Sequence, residues 1–206
     1  QLLAAQSVLR SAFATVSAAH PPLVWKDIYW EIEGCYQSSD LIMQAVGAEH
    51  INPFATYFRE VLVPSLKGQS FDVIGISVSL DQMSQIVPAL TLAKVLREAF
   101  PDTHICAGGV VFSKLDTKID SFTPFFQDLA SIVLYEGETA LTRLAQAIAA
   151  EDHAAIPDIP NLLTLQNDVL TMPTERKVAD VDDLPVPDFD GLPLDAYLAP
   201  HLILPF

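Results

Sequence analysis

The sequence predicts a doubly wound α/β domain: a mainly parallel sheet with helices on both faces, followed by a C-terminal β-hairpin and an extended linker. Three observations carry that expectation. Two continuous apolar runs of strand length, Phe71 to Ser79 (FDVIGISVS) and Ser131 to Tyr135 (SIVLY), suit strands buried on both faces. Helical stretches with an apolar stripe alternate with the strands, which implies parallel pairing through right-handed crossovers. The composition is that of a globular chain long enough for one sizeable core, with half of its 206 residues apolar and 18% charged.

Taken in order, Leu2 to Ala19 is Ala- and Leu-rich with apolar residues at helical spacing, and it stops before His20-Pro21-Pro22. Leu23 to Ile32 (LVWKDIYWEI) is aromatic and β-branched and reads as one strand. Asn52-Pro53 starts a helix, with Asn as cap and Pro at the first helical position. Ser84 to Phe100 is an amphipathic helix that tolerates Pro88 in its opening turns. Thr103 to Ala107 is a short strand running into Gly108-Gly109, and a polar, partly helical stretch continues to Asp128. Glu136-Gly137-Glu138-Thr139 turns into a helix (ALTRLAQAIAA), and Asn161 to Met172 reads as a hairpin around Asn167-Asp168.

Charge and proline divide the chain near residue 150. Residues 151–206 hold 11 acidic and 2 basic side chains, −9 of the net −15, and 8 of the 15 prolines. The expected division is therefore an α/β domain over 1–150, its first strand missing upstream, and a hairpin with an acidic Pro-rich linker over 151–206. The start at Gln1 and the end at Phe206 fit a piece of a longer polypeptide. The acidic balance argues against nucleic acid or an anionic membrane as partner. No apolar run reaches the ~20 residues of a membrane span. Cys35 and Cys106 are far apart with no C-x-x-C pair, which fits a reducing cytoplasm and no structural zinc.

In a sheet of this kind ligands bind beyond the carboxyl ends of the strands. Three such ends carry suggestive residues: Ser77-Val78-Ser79 with Gln82 beyond it, Gly108-Gly109-Val110, and Tyr135-Glu136-Gly137-Glu138. Small hydroxyl residues and missing Cβ atoms let a ligand approach the backbone, though tight turns and helix caps use the same residues. No G-x-G-x-x-G, G-x-x-x-x-G-K-[ST] or G-x-S-x-G is present, so phosphate cradles and a serine elbow are absent, and a stand-alone dinucleotide or nucleotide-sugar enzyme is disfavoured. Glu136 and Glu138, two apart in a turn, make a poor acid/base pair. No complete catalytic constellation is visible, which favours a binding or accessory domain.

The order of these pieces resembles the cobalamin-binding domain, Rossmann-like or flavodoxin-like in fold, that precedes many radical S-adenosylmethionine enzymes. The resemblance rests on DVIGISVS, PALTLAKVLRE, HICAGG, SIVLYEGE and TALTRLAQAI in that order. The phrase Val181-Asp182-Asp183-Leu184-Pro185-Val186-Pro187-Asp188-Phe189 looks like the link to the radical barrel. Residues 1–51 would then be a helix and the second strand of the same domain. The resemblance implies that Ser77, Val78, Ser79 and Gln82 lie beside the nucleotide tail of cobalamin. It gives Gly108, Gly109 and Val110 the role of making room for that tail. Tyr135, Glu136, Gly137 and Glu138 match a Gly-Glu-Gly-Glu loop in which Tyr135 replaces the first glycine, and its ring either stacks on the ligand or obstructs it. Asp102-Thr103-His104 imitates the Asp-x-His-x-x-Gly loop that presents histidine to cobalt. Here, however, His104 enters a strand and Ala107 stands where the glycine belongs, so cobalamin is expected without a histidine ligand. A [4Fe–4S] cluster and S-adenosylmethionine are implied only for an absent C-terminal domain, whose substrate would be a small molecule or peptide. The parent would be a methyltransferase or a peptide- or natural-product-modifying enzyme, with this piece not catalytic by itself. The competing expectation is the same fold without cofactor, serving as a structural module.

Overall fold

A computed structural model describes residues 2–21, 23–26, 29–79, 85–171, 176, 178, 180, 182 and 186–194. Five strands form one sheet in the order β3 (Val73–Ser77), β4 (His104–Gly108), β5 (Ser131–Val133), β6 (Leu162–Gln166) and β7 (Val169–Thr171). β3, β4 and β5 are parallel, whereas β6 and β7 are antiparallel additions. The α/β class is as expected, with helices on both faces. Within the described strands the order runs straight through without reversing.

Period-two alternation assigns side chains to the two faces. On one face Ile76, Ile105, Ala107, Ile132 and Leu163 pack against α2 (Ser39–Gly47), α5 (Ile86–Ala99) and the phenylalanines Phe112, Phe122 and Phe125. On the other, Cys106, Val133 and Leu162 meet Ala140, Leu144 and Ala147 of α7 (Glu138–Ala149), Ile156 of the following 3-10 turn (His153–Asp158) and Ile159 just after it. Each fully buried Leu or Ile contributes roughly 1.5–3 kcal/mol, so both faces hold the sheet. α7 packs over β4, β5 and β6. Toward its carboxyl end the same face of β3 lies open, with Gly75 and Ser77 exposed, so Phe71 to Ser79 is not the strand buried on both faces that its apolar run predicts.

The helices start where the caps predict. Asn52 Oδ1 accepts from the Phe54 N–H at 3.1 Å and Pro53 opens α3 (Pro53–Tyr57). That helix continues through a π turn (Phe58–Leu62) into α4 (Val63–Ser65). Asn52 also donates through Nδ2 to Thr91 Oγ1 at 2.9 Å, a buried bond that ties this helix to α5. Between β4 and β5 the chain forms α6 (Val110–Lys114) and a long 3-10 segment, Asp116–Gln127. The hairpin turns through Asn167 and Asp168, both left-handed (φ 48° and 62°), as a two-residue turn with matching twist requires. It extends the main sheet through β5, and Leu162 and Leu163 are fully buried.

One expectation is corrected. Leu23 to Ile32 is a hairpin, β1 (Leu23–Lys26) antiparallel to β2 (Tyr29–Ile32), and it forms a separate two-stranded sheet. It is neither one strand nor the second strand of the main sheet. α1 (Leu2–Ala19) stacks Phe13 on Trp25 of this hairpin, with ring centroids 5.0 Å apart. Antiparallel pairing lets the short aromatic stretch satisfy its own backbone hydrogen bonds locally.

Candidate functional site

The open strip of β3 becomes the wall of a cavity of about 290 Å3 at the carboxyl ends of β3, β4 and β5. Its floor is built by register. Gly75 pairs with Cys106, Ser77 with Gly108, and Gly108 with Val133, so these five form one contiguous patch on the α7 side of the sheet. Gly137 and Leu141, from the start of α7, form the opposite wall, and Tyr135 lines the rim. Small residues along β3 and β4 make the hollow. A Cβ on Gly75 would meet only Cys106 Sγ, at 3.8 Å. The Cys106 thiol is pushed up to about 11 by burial, so it is a neutral apolar part of the floor.

The two glycines singled out in the sequence have structural reasons of their own. Gly109 has φ +114°, and a Cβ there would run into the Val78 carbonyl oxygen. The Val78 N–H donates to the Gly108 carbonyl at 2.8 Å, which locks the two strand ends together. A Cβ on Gly108 would stand 3.2 Å from that of Val133. Both glycines line the cavity, but the surrounding chain already requires the one at 109 and crowds any side chain at 108.

Tyr135 is held in a left-handed backbone (φ 60°) that bulky residues avoid. Its N–H donates to Ser113 Oγ at 2.6 Å and its hydroxyl donates to Asp116 Oδ2 at 3.1 Å. The Arg176 guanidinium lies 4.0 Å from the centroid of its ring. Burial, then the bond to Asp116, raises the phenol above its ordinary range, so it stays protonated. Asn161, also left-handed, donates through Nδ2 to the Glu136 carbonyl at 3.0 Å and accepts the Leu134 N–H at 2.8 Å. The loop from Leu134 to Gly137 is thus fixed from two sides.

Of the residues expected from sequence, Ser77, Gly108, Gly109, Tyr135 and Gly137 come together at this cavity. Val78 is buried in the opposite core, and the Ser79 N–H donates to Gln85 Oε1 at 2.9 Å. Val110 is half-exposed on α6, and Glu136 and Glu138 are not among the lining residues. Gln82 lies outside the described residues. Gly75, Cys106, Val133 and Leu141 were missed. A glycine in the middle of an apolar run of strand length was the available signal, since it marks close approach or vacant space.

His104 sits at the amino end of β4, four residues before Gly108, or about 13 Å along the strand. Its Nε2 is 2.8 Å from Ser131 Oγ. Burial, with Arg97 and His153 nearby, lowers it to about 4, so the ring is neutral. It belongs to the opposite end of the sheet from the cavity. Among the described residues no three His, Cys, Asp or Glu side chains are placed to hold a metal, and no helix is long and apolar enough to cross a membrane.

These features define an α/β domain with a cavity at the carboxyl ends of its parallel strands. No family model matches the chain, and no curated protein does. Among solved structures it is similar to the radical S-adenosylmethionine methyltransferase TsrM from Kitasatospora setae, with cobalamin and a [4Fe–4S] cluster bound. The match has 19% identity and a TM-score of 0.47 over 60% of this chain, and the chain spans 23% of that protein.

Proposed function

We propose that this chain is a cobalamin-binding-type accessory domain of a radical S-adenosylmethionine enzyme, with residues 151–206 leading toward the radical domain. One observation supports it most: five residues singled out in sequence for cobalamin, Ser77, Gly108 and Gly109 beside its nucleotide tail and Tyr135 and Gly137 in the neighbouring loop, line a single cavity at the strand ends. The residues fit such a group. The cavity lies near the low end of the ligand-pocket range, its floor is apolar, and Ser77 supplies an exposed hydroxyl at the edge. Gly75, Ser77 and Gly108 would take the tail, and the protonated Tyr135 phenol is already committed to Asp116. Among the described residues no histidine lines this site, so the bound cofactor would lack a protein imidazole on cobalt. Cobalamin would supply methyl-transfer chemistry, while the cluster and S-adenosylmethionine would reside on the radical domain. The parent's substrate would be a small molecule or a peptide. Two buried free thiols, Cys35 and Cys106, suit a reducing cytoplasm.

Gel filtration of the chain with hydroxocobalamin tests the reading. Corrin absorbance should co-elute with the wild type and be lost from Gly75→Val, which fills the cavity while suiting a strand. Absence of corrin absorbance from the wild-type peak would refute it. A second reading, the same fold acting as a structural module without cofactor, is favoured by the anchored Tyr135 ring at the cavity rim.

A further inference from the structure

The domain hardly covers α1. Of residues 3–19, all but Phe13 and Ser17 are exposed. Phe13 stacks on Trp25, and Ser17 Oγ accepts the Trp25 N–H at 2.8 Å, so one edge of the helix holds it to β1. Most helical stability in proteins comes from packing an apolar face, and here that edge is narrow. About a quarter turn away runs a second, apolar line. It consists of Ala5, Leu9, Ala12, Val16 and Ala19, spaced 4-3-4-3 as the a and d positions of a heptad are. Val8 flanks it at a g position, and all six residues are exposed. Arg10, the one charged side chain of α1, falls on the far side, and the helix carries no acidic residue.

We propose that α1 is a self-association helix, through which two copies of this chain pair antiparallel about a two-fold axis. The sizes along the line specify that partner. In an antiparallel pair, a positions of one helix face d positions of the other. With the axis between Arg10 and Ser11, Leu9 faces the partner's Ala12 and Val16 faces the partner's Ala5. Each layer then sets a large residue against a small one, and the symmetry repeats the match. A parallel pair would instead stack Leu9 on Leu9 and Ala12 on Ala12, in alternately wide and narrow layers. Charge favours the same face. The chain carries −15, so two copies repel on average, whereas this line and its flanks are neutral. Val16 also borders an open groove with Trp25, Ile51 and Pro53, so apolar surface continues from the line onto the body of the domain. Two such faces would bury roughly 1,000 Å2, near the least a specific interface needs, so the dimer is weak and concentration-dependent. The pairing rests on α1 and is independent of what the cavity binds.

Sedimentation velocity of the chain from about 5 to 500 µM tests the pairing. The weight-average mass should rise with concentration from 22.5 kDa toward twice that value. Leu9→Glu puts a charge in the line and should weaken the dimer about ten-fold or more. Leu3→Glu adds the same charge to α1 and serves as the control. Leu3 is more exposed than Leu9, 81% against 54%, but lies off the line, so its dimer should stay within about two-fold of the wild type. Far-ultraviolet dichroism checks that both variants fold. Orientation is read by cross-linking, in which the native thiols of Cys35 and Cys106 do not compete because both are buried. Under mild oxidation a mixture of Ala5→Cys and Val16→Cys chains should give a disulfide-linked dimer, and neither chain alone should. A mass of 22.5 kDa at every concentration, or equal weakening by Leu3→Glu and Leu9→Glu, overturns the proposal. Cross-links within either cysteine variant alone overturn the antiparallel arrangement.

Discussion

Gly75, Ser77, Cys106, Gly108 and Val133 share one face of three adjacent strands, and their small volume is what leaves a hollow beneath α7. Gly75 differs from Gly108 because a Cβ there would make only an ordinary contact, with Cys106 Sγ at 3.8 Å. Four residues along β4 from Gly108, the half-buried imidazole of His104 faces a different problem. Its pKa is about 4 when folded, against an ordinary 6.5. The folded protein refuses a proton that the unfolded chain accepts. The stability from a neutral His104 is therefore complete above pH 6.5 and is lost as pH falls through 6.5 toward 4. Urea unfolding of the wild type should lose about 2 kcal/mol more than His104→Gln between pH 7.5 and 4.5. Equal losses in the two proteins would show that this ring is not the acid-sensitive group.

At the scale of elements, one buried side chain ties the start of α3 to α5. Asn52 caps α3 and donates to Thr91 Oγ1, which itself donates to the Val87 carbonyl at 2.7 Å. Asn52→Ala should cost about 2–3 kcal/mol in chemical unfolding, from a lost cap plus a buried donor bond. Asn52→Asp keeps the cap and should recover part of that loss. Adding Thr91→Val to Asn52→Ala should cost less than the sum of the two single changes, and strict additivity would refute the coupling. Asn52-Pro53 was legible because a cap and a proline at the first turn leave a local signature. So were α1, α5, α7 and the Asn167-Asp168 turn, whose residue types fix the backbone directly. The β1–β2 hairpin was not legible, because Trp25-Lys26-Asp27-Ile28-Tyr29-Trp30 has no Asn-Gly or Asp-Gly to mark its turn. Nor did the sequence signal the π turn at Phe58–Leu62. The cavity was half legible. Turn-forming glycines stood out, but Cys106, Val133 and Leu141 enter it through cross-strand register and the position of α7, which tertiary packing decides.

The molecule as a whole closes its sheet with residues beyond 150. Leu162 and Leu163 have 0% exposure and pack on opposite faces, joining the two cores. Removing residues 151–206 should abolish cooperative unfolding, whereas removing only 178–206 should leave the transition midpoint nearly unchanged. Denaturant titration followed by far-ultraviolet dichroism distinguishes the two. The acidic charge concentrated after residue 150 then belongs mostly to the linker, and Arg176, one of only two basic residues there, lies over the Tyr135 ring. The central claim is that this rim and floor accept cobalamin without a histidine on cobalt. Equilibrium titration with hydroxocobalamin, read in the visible spectrum, tests it most directly. Saturable one-to-one binding is expected, with a bound spectrum unchanged in His104→Ala. No saturable binding, or a bound spectrum that depends on His104, would contradict the account.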